Sequence, residues 1–245
     1  KTLRFTSRQV RVDGVSQMTV NGERIAERLA KSIRFQTVSY QEPAQFDGKE
    51  FLGLHAYLEG AFPRVHATLT KEVVADYSLL YTWKGSEPEL KPILLMAHID
   101  VVPVEPGTEG DWTYPPFAGR IADGYIWGRG AMDDKVRVLG ILEAVETLLG
   151  EGVQPRRTIY LAFGHDEEVG GARGATRLAA LLHSRGIQLE YVLDEGLVIT
   201  EGILPSVSAP VALVGIAEKG FVNIELTIQS EGGHASMPPP HTAVG

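Results

Sequence analysis

The chain has no cysteine among its 245 residues. This excludes disulfides, thiolate zinc fingers and cysteine nucleophiles, and leaves His, Asp and Glu as the side chains able to hold a metal. There is no apolar run near the roughly 20 residues needed to span a bilayer, and no secretory leader is visible. No long basic run accompanies the net charge of −8, so the electrostatic footprint of a nucleic-acid binder is missing. Internal repeats and low-complexity tracts are also missing. What is present, 44% hydrophobic and 22% charged residues, is an ordinary globular composition with enough length for a substantial core. Disulfide-free chains occur on both sides of a membrane. The start at Lys1 rather than Met leans toward an exported or anchored protein that has lost its leader.

Asn21 followed by "GERIAERLAKSI" spaces Ile25, Leu29 and Ile33 four apart, the period of an amphipathic helix with Asn21 near its cap. "KEFLGLHAYLEGAF" continues the pattern through Phe51, Leu54 and Leu58. Short apolar runs then alternate with helical patterns. "PILLMA" (92–97), "TIYLAFG" (158–164) and "LEYVLD" (189–194) read as strands, whereas "KVRVLGILEAVETLLGEG" (135–152) and "ATRLAALLHSRG" (175–186) read as helices. This order predicts an α/β fold with a largely parallel sheet covered by helices. After about residue 208 the texture changes. "FVNIELTIQ" alternates Val222, Ile224, Leu226 and Ile228 with polar residues, the pattern of a half-exposed antiparallel strand. The expected division is a catalytic-type domain over 1–208 and the beginning of a second, α+β domain over 209–245. "PPPHTAVG" ends without a closing element, as an N-terminal portion of a longer protein would.

Three expected strands run into metal-ligand residue types. "ILLMA" leads to His98 and Asp100, "TIYLAFG" to His165, Asp166, Glu167 and Glu168, and "EYVL" to Asp194 and Glu195. A fourth group, "WGRGAMDDK" (127–135), delivers Asp133 and Asp134 from a glycine-bearing turn at a helix start. Taken singly, each is more often a solvated loop or a helix cap. "GRGAMD" lacks the third glycine of a dinucleotide fingerprint, which excludes that cofactor. Ligands in open α/β sheets sit beyond the carboxyl ends of the strands, so four such groups at corresponding ends point together to a polynuclear metal site. Residues two apart on extended chain point the same way, so Asp100 can hydrogen-bond the ring of His98 and set its tautomer. Adjacent Glu167 and Glu168 project differently, which suits one as ligand and the other as general base.

These residues carry a resemblance. "HIDVVP" (98–103), "WTYPPFAG" (112–119), "WGRGAMDDK", "GHDEEVGG" (164–171), "LDEG" (193–196) and "GGHASMPP" (232–239) resemble, in order, the motifs of the co-catalytic di-zinc peptidases related to glutamate carboxypeptidase, aminoacylase and carnosinase. The details are most similar to the branch of carboxypeptidase S and the N-fatty-acyl-amino-acid synthase/hydrolase. The resemblance implies that His98, Asp133 and Asp194 hold one zinc, with Asp133 bridging to a second zinc held by Glu168 and by a histidine beyond Gly245. It implies that Asp100 orients His98, that Glu167 is the base, and that His234, on the lid domain, reaches the substrate carbonyl from a homodimer partner. Manganese or cobalt suits the same donors. The substrate implied is a small peptide or an N-acyl amino acid. Two alternatives stand beside it: a di-zinc aminopeptidase or short-chain aminoacylase, and a noncatalytic metal-binding or dimerisation module. His55, His66, His165 and His183 are expected to be structural.

Overall fold

The structure, a computed structural model, describes residues 19–196, 198–204, 207–217, 220, 222 and 224–228. Helix α1 (Gly22–Ile33) starts where Asn21 accepts the backbone N–H of Arg24, and α2 (Gly48–Ala61) starts at Asp47, which caps Lys49 in the same way. Such caps satisfy donors that the first helical turn leaves free. Helix α3 (Pro63–Thr68) has proline in its first turn, and its amides at Arg64 and Val65 are taken by the buried carboxylate of Glu146. Glu146 belongs to α4 (Lys135–Gly150).

The main sheet has five strands: β1 (Thr70–Val74), β2 (Ser78–Trp83), β3 (Ile93–His98), β6 (Ile159–Gly164) and β7 (Val192–Leu193). Their spatial order is β1-β2-β6-β3-β7. The β6-β3-β7 part is parallel, and β1 and β2 add antiparallel strands at one side. A small hairpin, β4 (Arg120–Ala122) with β5 (Tyr125–Trp127), lies between β3 and α4 in sequence. Helix α5 (Ala175–Ser184) follows β6. The α/β architecture and the parallel central strands agree with the sequence expectation. The β1–β2 hairpin was not expected, and β7 is shorter than "LEYVLD" suggested.

Period-two alternation divides the strand residues between two cores. Leu79, Tyr81 and Trp83 of β2, with Leu161 and Phe163 of β6, face a cluster built with α1 to α4; Leu80, Leu94 and Ala162 face Leu178 and Leu182 of α5. Each fully buried large side chain contributes about 1.5–3 kcal/mol. An exposed ion pair such as Arg185–Glu72 contributes about 1 kcal/mol at most, so burial sets the strand positions.

The chain divides into a unit that runs to Glu195 and a second over Gly196–Gly245, so the boundary expected near 208 falls inside the second unit. That unit contains the antiparallel pair β8 (Ile199–Thr200) and β9 (Val211–Ala212). At the described positions of "FVNIELTIQ" there is no strand pairing, and Val222, Ile224, Leu226 and Ile228 are exposed. Alternation states which face a strand would bury but supplies no partner. His234 and the "GGHASMPP" stretch lie outside the described residues. Among the described residues no helix is long and apolar enough to cross a membrane.

Candidate metal centre

Parallel pairing of β3 with β6 sets His98 opposite Gly164, and Ile99 N–H donates to Gly164 O at 2.8 Å. The residues that follow each strand therefore emerge at one end of the sheet. After β6 the chain makes a single 3₁₀ turn, Glu167–Val169, whose place is set by Asp100. The Asp100 carboxylate accepts the backbone N–H groups of Glu167 and Glu168, each at 3.1 Å. The Nδ1 of His98 lies 3.0 Å from the Asp100 carbonyl oxygen and 3.3 Å from its Oδ1. Asp100 thus fixes both the imidazole and the glutamate turn. Its contact to the ring comes from backbone and carboxylate together, a detail that spacing alone could not distinguish.

The third contributor is the turn before α4. Gly130 has φ +81°, and a Cβ there would stand 2.7 Å from Val101 Cγ1, so this position requires glycine. The turn delivers Asp133, whose Oδ1 lies 2.9 Å from His98 Nε2. The neighbouring Asp134, joined to it by a cis peptide bond, turns inward. It is fully buried and accepts His98 N–H at 3.2 Å and Arg137 Nη1–H at 2.6 Å.

Among the described residues two groups of possible ligand atoms result: His98 with Asp133 and Glu168, and His98 with Asp134 and Glu195, the atoms of each lying within 4.8 Å of one another. Glu167 approaches the same ring, its Oε2 lying 3.8 Å from His98 Nε2. Of the expected residues, His98, Asp100, Asp133, Glu167 and Glu168 therefore converge. Asp194 stands outside both groups: it is exposed, and its Oδ1 accepts the N–H of Glu195 at 2.9 Å. Neighbours on extended chain face opposite ways, and it is Glu195 whose Oε1 comes within 3.7 Å of His98 Nε2. Glu195 Oε2 lies 3.3 Å from Arg137 Nη1. Sequence reasoning missed this pairing, although the adjacent acids of "LDEG" signalled that one of two would point inward. His55 and His66 bond the carbonyls of Tyr77 and Phe62, and His165 bonds Ser78 Oγ at 2.7 Å.

The electrostatics fit a cation. Burial and then the charge of Asp133 push Glu168 up to about 7; burial, with Asp134 and Asp133, does the same to Glu195. Burial also raises Glu167. Burial alone would lower His98, but the Asp100 bond and the charges of Asp100, Asp134 and Glu195 outweigh it and carry the ring up to about 10. Crowded carboxylates around one imidazole are the condition a divalent cation relieves, and an imidazole with several carboxylates is a donor set suited to zinc, manganese or cobalt. The residues present fit such an ion.

A profile described as Peptidase family M20/M25/M40 matches residues 94–244. The chain is 47% identical over its whole length to the Probable carboxypeptidase S-like 2 of Dictyostelium discoideum, covering 49% of that protein. It is 44% identical over 91% of its length to the N-fatty-acyl-amino acid synthase/hydrolase of Xenopus tropicalis, covering 43% of it. The chain thus spans about half the length of these curated relatives. Among solved structures, human carnosine dipeptidase 1 superposes with a TM-score of 0.58 at 21% identity, over 73% of this chain and 40% of that one. At that identity the likeness speaks for the fold.

Proposed function

Because this chain belongs to Peptidase family M20/M25/M40, we propose that the protein carrying it is a hydrolase that uses two zinc ions to cleave the amide bond of a small peptide or an N-acyl amino acid. The observation that carries this reading is the convergence of His98, Asp133 and Glu168 at one end of the parallel strands. The relatives named carboxypeptidase S-like and N-fatty-acyl-amino acid synthase/hydrolase support the substrate class.

In this reading His98, Asp133 and Glu168 would hold the ions. Glu195 takes the place first expected of Asp194, because its Oε1 and not the Asp194 carboxylate faces His98 Nε2. Bound zinc supplies an activated water, its pKa lowered to about 7, and polarisation of the carbonyl. Glu167, half exposed at the same opening, would accept a proton from water at Oε2 as the water oxygen bonds to the carbonyl carbon, and return it to the amide nitrogen as the C–N bond breaks. Asp100 keeps His98 Nδ1 engaged, so that Nε2 is the nitrogen left for the ion. His234 keeps the part the resemblance implies, steadying negative charge on the carbonyl oxygen from the partner of a homodimer.

The test is metal content by elemental analysis of the full-length protein, together with hydrolysis of N-acyl amino acids, blocked dipeptides and peptides with free N-termini. Zinc with cleavage of the first two classes is expected. Zinc without cleavage of any would favour a noncatalytic module, and cleavage only beside free N-termini would favour an aminopeptidase.

A further inference from the structure

Three hydrogen-bond donors and the His98 ring surround the buried carboxylate of Asp100. Glu167 N–H and His98 Nδ1 approach Oδ1 at 3.1 and 3.3 Å, and Glu168 N–H approaches Oδ2 at 3.1 Å. The hydroxyl of Ser39 donates to Oδ2 at 2.6 Å. Of the hydrogen bonds to this carboxylate, that of Ser39 is the shortest and the one made by a side chain. Asp100 and Ser39 are 0% and 1% exposed, and no water can substitute for a lost partner without entering the core.

Ser39 arrives there by a separate route. Val38 bridges Val101 in parallel; Ser39 N–H donates to Val101 O at 3.2 Å, and Val101 N–H to Thr37 O at 3.0 Å. Thr37 Oγ–H donates to Ile99 O at 2.6 Å. Residues 37–39 therefore lie along 99–101, joined by one parallel bridge beyond the end of β3. From this position Ser39 holds the one carboxylate oxygen that the histidine does not approach.

We infer that Ser39 is a positioning residue for the metal centre: its hydroxyl locks the rotation of the Asp100 carboxylate, so that one group aligns the His98 ring and the Glu167–Glu168 turn together. This rests on the reading of that centre given under Proposed function. Thr37 makes an equally short, equally buried bond on the same segment without touching Asp100. It separates positioning from general support.

The experiment is the zinc dissociation constant, by competition with a chromogenic chelator, of the full-length protein and its Ser39→Ala, Ser39→Cys and Thr37→Val variants, and of Ser39→Ala in an Asp100→Asn background. Loss of a group that orients a ligand typically weakens affinity about 10- to 100-fold, and about 10-fold is expected for Ser39→Ala. Ser39→Cys replaces the hydroxyl by a larger group that is only a weak donor and leaves no cavity, so it should also weaken binding and stands in if the alanine variant folds poorly. Thr37→Val should stay within about twofold of the starting protein, and Ser39→Ala should add little once Asp100 is Asn. Unchanged affinity in both Ser39 variants, an equal loss in Thr37→Val, or an undiminished loss in the Asp100→Asn background overturns the inference alone. Absence of zinc from the unsubstituted protein overturns the reading of the centre and the inference with it.

Discussion

Glu195 and His98 meet across the β3–β7 pair, Oε1 lying 3.7 Å from Nε2, while Arg137 stands 3.3 Å from the other oxygen of the same carboxylate. The adjacent Asp194 turns its oxygen back onto the N–H of Glu195. Removing the two charges one at a time should therefore have unequal effects. Glu195→Gln is expected to lower metal stoichiometry or affinity by about 10-fold or more, and Asp194→Asn to leave both within about twofold. Elemental analysis and chelator competition decide the matter. The reverse order would restore Asp194 to the ligand set.

Glu167 and Glu168 share an anchor in Asp100, and the proposed function gives them different roles. Glu167→Gln should lose at least ~10²-fold in kcat while retaining its metal, the usual effect of losing a general base. Glu168→Ala should lose metal as well as rate. Parallel measurements of metal content and turnover that gave the two variants the same profile would remove the division between base and ligand.

Below pH 7 His55 and His165 should cost stability. His55 is held below its ordinary value of 6.5 chiefly by burial, with its Nε2–H donated to the Tyr77 carbonyl, and burial lowers His165 likewise. The unfolded chain takes up a proton near 6.5 that the folded chain resists, so stability is complete above that pH and falls as pH drops through it toward the folded value. His55→Gln keeps a donor but no titration. Its denaturation midpoint should decline less than that of the unsubstituted protein between about pH 7 and 5, and parallel declines would contradict this account.

Two glycines with left-handed backbone test how tightly α1 is held. Gly119 has φ +55°, and a Cβ there would run into the carbonyl of Ala30. Gly124 has φ +79° with nothing within 4 Å. Gly124→Ala should cost about 1 kcal/mol from backbone conformation alone, and Gly119→Ala about 2–4 kcal/mol once the steric conflict is added. Urea denaturation of both measures the difference.

Where local patterning and tertiary demand coincide, the elements were legible in advance. The four-residue apolar spacing of α1, the apolar runs of β3 and β6, and the helices α4 and α5 are each specified by residues close in sequence. The β1–β2 hairpin was not. Its loop, Ala75-Asp76-Tyr77, has positive φ at Ala75 and Asp76 without the glycine or asparagine that usually marks such a turn. The alternation of 222–228 is the converse case, a regular pattern without a strand partner among the described residues.

From the sequence alone came the absence of thiol chemistry, the α/β order, and the acidic and histidine groups at four strand or helix ends, because each depends on composition or on spacing within one element. The tertiary structure decided which of those groups meet. Parallel register set His98 beside Gly164 and the turn after it, and packing turned Asp134 inward and Asp133 outward. The chain after β7 turned Glu195 rather than Asp194 toward His98, and a segment some sixty residues distant brought Ser39 to Asp100. Such choices between neighbours depend on which way a side chain faces and on what packs against it, and neither is recorded in the order of residues.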